Sequence, residues 1–151
     1  MANLSAKEQT LLQDQKSHEE MCIKKYTKAA NEAQDTELKQ LFNQLASQER
    51  EHLNTVNQIL GGSVPSMNSG GSSGSSQSNM QFSGNNKGNQ QDADLCQDLL
   101  STEKYVSSTY DTTIFECKDT NIRKALNHIQ KEEQEHGEKI YNYMQANGMY
   151  S

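Results

Sequence analysis

The pattern Glu-x-x-His occurs twice in this sequence, at Glu49–His52 and at Glu133–His136. Each copy follows another glutamate by 30 residues, Glu19 in the first case and Glu103 in the second. A carboxylate and an imidazole three residues apart share one face of a helix. Four carboxylates and two imidazoles gathered at one place form a donor set suited to Fe or Mn, with Zn also compatible. Two such ions about 3.5–4 Å apart can take peroxide or O2 between them. In that arrangement Glu49 and Glu133 would bridge, Glu19 and Glu103 would serve as terminal ligands, and His52 and His136 would each cap one ion.

An internal repeat ties the two copies together. Residues 8–60 and 92–144 align without gaps at an offset of 84, with 13 identities in 53 positions. The identities include Glu19 with Glu103, Tyr26 with Tyr110, Asp35-Thr36 with Asp119-Thr120, Glu49 with Glu133 and His52 with His136. One structural unit is therefore used twice. Each unit reads as two helices, since proline is absent from both and Ala, Leu, Lys, Gln and Glu dominate. Asp35 and Asp119 stand where an N-cap would start the second helix of each unit.

Periodicity gives each helix one buried stripe. Leu12, Gln15, Glu19, Cys22, Tyr26, Ala29 and Ala33 alternate in steps of three and four. So do Leu38, Phe42, Leu45, Glu49, His52, Val56 and Ile59. The second unit repeats the rhythm from Cys96 to Cys117 and from Ile122 to Tyr143. The predicted fold is all-α, a four-helix bundle of two antiparallel hairpins. Hairpins are expected over 1–60 and 92–151, with a flexible linker over 61–91 making a long crossover, and the whole of 1–151 forming one domain.

Glu and His on a solvated face would need no explanation, but these share their stripe with Leu45 and Val56. An ionised carboxylate in a core costs several kcal/mol unless it is protonated, paired or metal-bound. No Lys or Arg lies on the stripes near the four glutamates. Their heights also agree. Glu19 and Glu49 are equidistant from the expected turn at Gln34-Asp35, and Glu103 and Glu133 from the one at Lys118-Asp119. Each is 15 residues from its turn, about 22 Å along the axis.

Composition removes other classes. The chain has 151 residues and a net charge of -6, so no basic stripe for a nucleic-acid backbone is visible. No apolar run approaches the roughly 20 residues that span a bilayer. The N-terminus has no apolar h-region, so no secretory signal is expected and synthesis is expected in the cytoplasm. Cys22, Cys96 and Cys117 form no C-x-x-C pair, which argues against a disulfide framework, a zinc ribbon or a rubredoxin-like iron site. The segment 61–91 holds seven of the nine glycines, the only proline, nine serines and one charged residue, Lys87. Such a tract cannot bury enough apolar area to offset its ordering entropy.

Tyr26 and Tyr110 read first as core residues with hydrogen-bonded hydroxyls. Their alternative is to support the metal ligands from behind, or to carry a radical. Cys22 reads as a small buried hydrophobe. His18, His128, Glu51, Glu135 and the Lys131-Glu132 pair read as wet surface.

The second unit resembles the spore coat F domain of endospore-forming bacteria. The resemblance rests on the D-L-L-x-x-E-K run at 98–104, the E-E-Q run at 132–134 and the G-x-Y ending at Gly148–Tyr150. The first unit resembles it more loosely. The six-residue donor pattern also resembles that of rubrerythrins and other ferritin-like proteins. The resemblance implies a ferritin-like fold, a place in the spore coat with other coat proteins as partners, and metal ligation by Glu19, Glu49, His52, Glu103, Glu133 and His136. Two functions follow. One is a di-iron or di-manganese oxidoreductase of peroxidase or catalase type, acting on H2O2 or O2. The other is a non-enzymatic coat component whose metal site is a core staple or vestigial. Neither implies a nucleic-acid or membrane partner, and a homodimer stays open.

Overall fold

The computed structural model describes residues 3–63 and 81–149. Four helices account for most of them: α1 over Ala6–Glu32, α2 over Thr36–Leu60, α3 over Gln90–Glu116 and α4 over Thr120–Ala146. No strand occurs among the described residues. The start signals act locally. Ser5 and Glu8 close a reciprocal capping box on α1, and Asn89 accepts from the Asp92 backbone N–H on α3. Asp119 caps α4 through the N–H groups of Asn121 and Ile122. Asp35 stands at the N-cap of α2 but does not cap it with its side chain. Its carboxylate instead accepts the Tyr143 hydroxyl at 2.5 Å.

The stripes face inward as their periodicity predicts. Leu12, Cys22 and Tyr26 of α1 meet Leu38, Phe42, Leu45 and Val56 of α2, and Leu99, Val106 and Tyr110 of α3 meet Ile122, Leu126, Ile129 and Ile140 of α4. Burying one such side chain contributes roughly 1.5–3 kcal/mol. These contacts, more than helix propensity, hold the hairpins together.

Cross-hairpin contacts fix the direction of each helix. Lys7 pairs with Glu116, and Lys25 with Asp98, so α1 and α3 run antiparallel. The His52–Glu132 and His136–Gln48 contacts make α2 and α4 antiparallel as well. Consequently α2 and α3 are parallel, and the connection between them has to cover a bundle length. For the 25 residues of α2 that is about 37 Å.

The expected linker 61–91 is shorter in the structure. Gln90 and Gln91 already belong to the first turn of α3. Residues 81–89 are held against the bundle: Ser83 donates to Glu37, and Asn86 donates to Asn147, Asp92 and Tyr143. Specific hydrogen bonds, which composition does not reveal, place this part. The remainder of the expected linker, 64–80, lies outside the described residues.

Both ends of the bundle are tied by a carboxylate from the opposite hairpin. Asp92 accepts from the backbone N–H groups of Gln34 and Asp35 at 2.9 and 3.0 Å, in the turn of the first hairpin. Glu8, the residue equivalent to Asp92 by the 84-residue offset, accepts from the Lys118 N–H at 2.8 Å, in the turn of the second. Burial opposes the charge on Glu8, but donors from Ser5 and Lys118 and the Lys118 charge hold its carboxyl below the ordinary range.

Candidate metal centre

Glu19 on α1, Glu49 and His52 on α2, Glu103 on α3, and Glu133 and His136 on α4 meet midway along the bundle, all at most 2% exposed. Their donor atoms form two overlapping groups of four. Glu19, Glu49, His52 and Glu133 make one, and Glu49, Glu103, Glu133 and His136 make the other, each with its atoms within 4.8 Å of one another. Glu49 and Glu133 belong to both groups. Each group draws donors from both hairpins, so neither hairpin contains a complete set. The rings of His52 and His136 lie stacked at 15°, with centroids 5.6 Å apart.

Both imidazoles face the carboxylates through Nδ1. His52 Nδ1 lies 3.1 Å from Glu49 and 3.2 Å from Glu133. His136 Nδ1 lies 3.1 Å from Glu49 and 3.2 Å from Glu103. The opposite edge of each ring is anchored outward. His52 Nε2 donates to Glu132 Oε1 at 2.8 Å, and His136 Nε2 donates to Gln48 Oε1 at 2.7 Å. Gln48 and Glu132 are themselves 84 residues apart. An outward Nε2–H fixes the ring and leaves Nδ1 as the inward donor atom.

Tyr26 and Tyr110 sit behind the glutamates, each across the hairpin boundary. Tyr26 donates its hydroxyl to Glu103 Oε2 at 2.5 Å, and Tyr110 donates to Glu19 Oε2 at 2.5 Å. Burial and the adjoining carboxylates push both phenols well above their ordinary range, so they remain donors. Each tyrosine satisfies one oxygen of its glutamate. The other oxygens, Oε1 of Glu19 and of Glu103, accept no hydrogen bond among the described residues, and neither does Glu133 Oε1. A buried carboxylate oxygen without a donor costs roughly 1–3 kcal/mol; His52 and His136 Nδ1 lie 3.7 and 3.3 Å from the Oε1 atoms of Glu19 and Glu133, and cations held in the two donor groups would offset the cost more fully. By this measure the residues present fit a metal pair.

Without a cation the cluster compensates through protons. Burial pushes Glu49 up to about 7 even though His136 and His52 donate to it. Burial and the nearby Glu133 likewise push Glu103 to about 7, and Glu133 is raised. Burial also works against Glu19, yet hydrogen bonding and charge from His52 bring it to about 2. Burial disfavours charge on both histidines, but their carboxylate partners win and hold them well above the ordinary imidazole range. The metal-free core therefore holds two imidazolium rings among partly protonated carboxyls.

Two expectations of wet surface are corrected. Glu132 is half-buried and holds the His52 ring, while its other oxygen takes His128 Nε2 at 3.1 Å. His18 is half-buried, 3.3 Å from Thr109 Oγ1 through Nδ1 and in edge contact with Tyr105. Glu51 and Glu135 are exposed, as read. Gln48 and Glu132 escaped the sequence reading because each immediately precedes a glutamate of the cluster and so falls off the stripe. Their shared position in the repeat was the available signal. Cys22 is fully buried beside the cluster, and burial together with the four carboxylates raises its thiol far above the ordinary value.

Comparison with known families places residues 91–151 under the model of the Coat F domain. No curated protein and no solved structure matches the chain.

Proposed function

We propose that this chain, whose residues 91–151 match the model of the Coat F domain, is a spore coat protein whose bundle holds a dinuclear Fe or Mn centre. The carrying observation is the pair of overlapping donor groups that share Glu49 and Glu133, with three buried carboxylate oxygens left without a hydrogen bond. Glu49 and Glu133 would span both ions. Glu19 and His52 would complete one set, and Glu103 and His136 the other. A redox-active pair bound there supplies peroxidase- or catalase-type chemistry with H2O2 or O2. The chain's own residues prepare for it. Tyr26 and Tyr110 orient the terminal glutamates and leave one oxygen of each bare. Glu132 and Gln48 aim the imidazoles inward. The surrounding Leu45, Val106, Ile129 and Ile140 exclude bulk water. The three cysteines are free and buried, so electrons for a peroxidase cycle would come from another molecule.

Other coat proteins are the partners this reading names. No helix among the described residues is long and apolar enough to cross a membrane. A second reading, a non-catalytic staple, is favoured by the protons and hydrogen bonds that already tie both hairpins through His52 and His136. Elemental analysis of chelator-free protein beside a Glu49→Ala/Glu133→Ala variant tests the centre. About two Fe or Mn per chain, lost in the variant, is the expected result. Peroxide consumption by the loaded protein then separates an oxidoreductase from a staple. Absence of metal from both proteins, with equal melting temperatures, would refute the centre.

A further inference from the structure

A groove of about 640 Å3 runs along the α3–α4 side of the bundle. Its floor includes Glu103 and Glu133, two of the glutamates whose Oε1 atoms accept no hydrogen bond. Its walls include Leu100, Ser107 and Gly137, and its rim carries Lys104, Asp111 and Glu138. Gln130 braces one side by donating to the Ser107 carbonyl and to Asp111, both at 2.8 Å. The residues that line this opening differ between the two copies of the repeat. Positions 107, 130 and 137 correspond to 23, 46 and 53 of the first, where the residues are Ile23, Ala46 and Leu53. Ile23 and Leu53 are thus larger and apolar where α3 and α4 carry Ser107 and Gly137, while Ala46 is smaller than Gln130.

We infer that the α3–α4 groove is the port through which a hydrated divalent cation enters the carboxylate cluster. This rests on the dinuclear reading of the site and adds its route and its selectivity. At the rim Asp111 and Glu138 outnumber Lys104, so the mouth of the groove draws cations and repels anions. Its volume accommodates an ion with its water shell, given that one water occupies about 30 Å3. At the floor Glu103 is 2% exposed and Glu133 fully buried. The final step is therefore a side-chain movement of those two residues, after which their bare oxygens replace water on the ion. Gly137 is what keeps the port open. A Cβ there would sit 3.6 Å from Leu100 Cδ1, an ordinary contact, and the backbone is not in the left-handed region, so a side chain at 137 can start into the groove without backbone strain.

The test uses the full chain stripped of metal. Co2+ uptake is followed by visible absorption in the wild type, in Gly137→Leu, in Ser107→Ile and in an Asp111→Lys/Glu138→Lys variant. The first two copy the first hairpin and should bind Co2+ to the wild-type stoichiometry, with uptake slowed tenfold or more. The double lysine variant should load several-fold more slowly, with the deficit shrinking at high salt. Wild-type uptake rates in natively folded Gly137→Leu and Ser107→Ile would overturn the port. A second measurement reads access without any metal. A cationic water-soluble carbodiimide with an amine should label Glu103 and Glu133 ahead of Glu19, and Gly137→Leu should abolish that preference. If Co2+ binds none of the proteins yet labelling follows this pattern, the dinuclear reading fails and the port stands as a cation path. Labelling of Glu103 and Glu133 no faster than Glu19 would overturn the port whatever the metal content.

Discussion

Tyr26, on the first hairpin, donates its hydroxyl to Glu103, on the second, at 2.5 Å, and the repeat-related pair Tyr110 and Glu19 does the same in the opposite direction. These two bonds couple the orientation of each terminal carboxylate to the other hairpin. Replacing Tyr26 or Tyr110 with Phe keeps the ring and removes only the hydroxyl. Each variant should stay folded and bind metal about 10–100-fold more weakly; Tyr110→Phe, which strands Glu19 Oε2, should lose about 1–3 kcal/mol of stability, and Tyr26→Phe less, because Glu103 Oε2 keeps His136 Nδ1. Denaturant melts and a metal titration on the same preparations check both numbers. Unchanged affinity in both variants would return the tyrosines to a purely packing role.

Loss of metal should reverse the dependence of stability on pH. In the metal-free chain Glu49 and Glu103 stand at about 7 against an ordinary 4.5, and both histidines are raised. Groups raised in the folded state bind more protons there than in the unfolded chain. Their contribution is complete below the unfolded values and is lost as pH climbs through the folded ones, from about 4.5 to 7 for the two glutamates. Glu19 acts the other way, but only between about 2 and 4.5. The apo protein should melt higher at pH 5 than at pH 8. With Mn2+ or Fe2+ bound, which requires deprotonated donors, the order should invert. Scanning calorimetry at both pH values, with and without metal, decides.

Glu8 and Asp92 should matter at opposite ends of the bundle. Glu8→Gln and Asp92→Asn each weaken a carboxylate acceptor of part-buried turn N–H groups, at a cost of roughly 1–3 kcal/mol. Because the ends are far apart, the double variant should show the sum of the two. Glu8 carries a lowered carboxyl, so its stabilising share is present above the unfolded value and fades as pH falls through the folded one. Urea melts at neutral and acid pH should therefore show the Glu8→Gln deficit shrinking under acid.

All three thiols should be inert in the native state. Cys22, Cys96 and Cys117 are buried, and burial pushes Cys96 up to about 12 and Cys117 to about 11. A disulfide reagent at pH 8 should label none of them within minutes and all three once the chain is unfolded in denaturant. Fast labelling of one cysteine in folded protein would show a local opening at that helix.

The six clustered residues were legible in the sequence because polar residues on an apolar stripe break a pattern, and Glu49 and His52 break the stripe that Leu45 and Val56 define. The equal distances from the turns gave their common height. The cross-hairpin relations were less accessible. Tyr26 is seven residues from Glu19, about 10 Å along the axis, too far to touch it. Its true partner, Glu103, follows only from the antiparallel pairing of α1 with α3, which the sequence alone left undetermined. Glu132 was hidden because its charge and its neighbour Lys131 imitate a surface. Residues 81–89 were hidden because their order comes from side chains such as Asn86, whose partners are distant in the chain.

The 84-residue repeat means that a single hairpin paired with a copy of itself would present both donor groups with perfect twofold symmetry. Two copies in one chain are free of that constraint. The six clustered residues and both tyrosines are identical in the two copies, and a difference falls just behind them. His52 leans on the carboxylate of Glu132 where His136 leans on the amide of Gln48. A carboxylate makes its imidazole the more electron-rich of the pair, so two chemically identical ions would find unlike seats. Division of labour between the two halves is thus available to this molecule in a way that no symmetric dimer of one hairpin could reach.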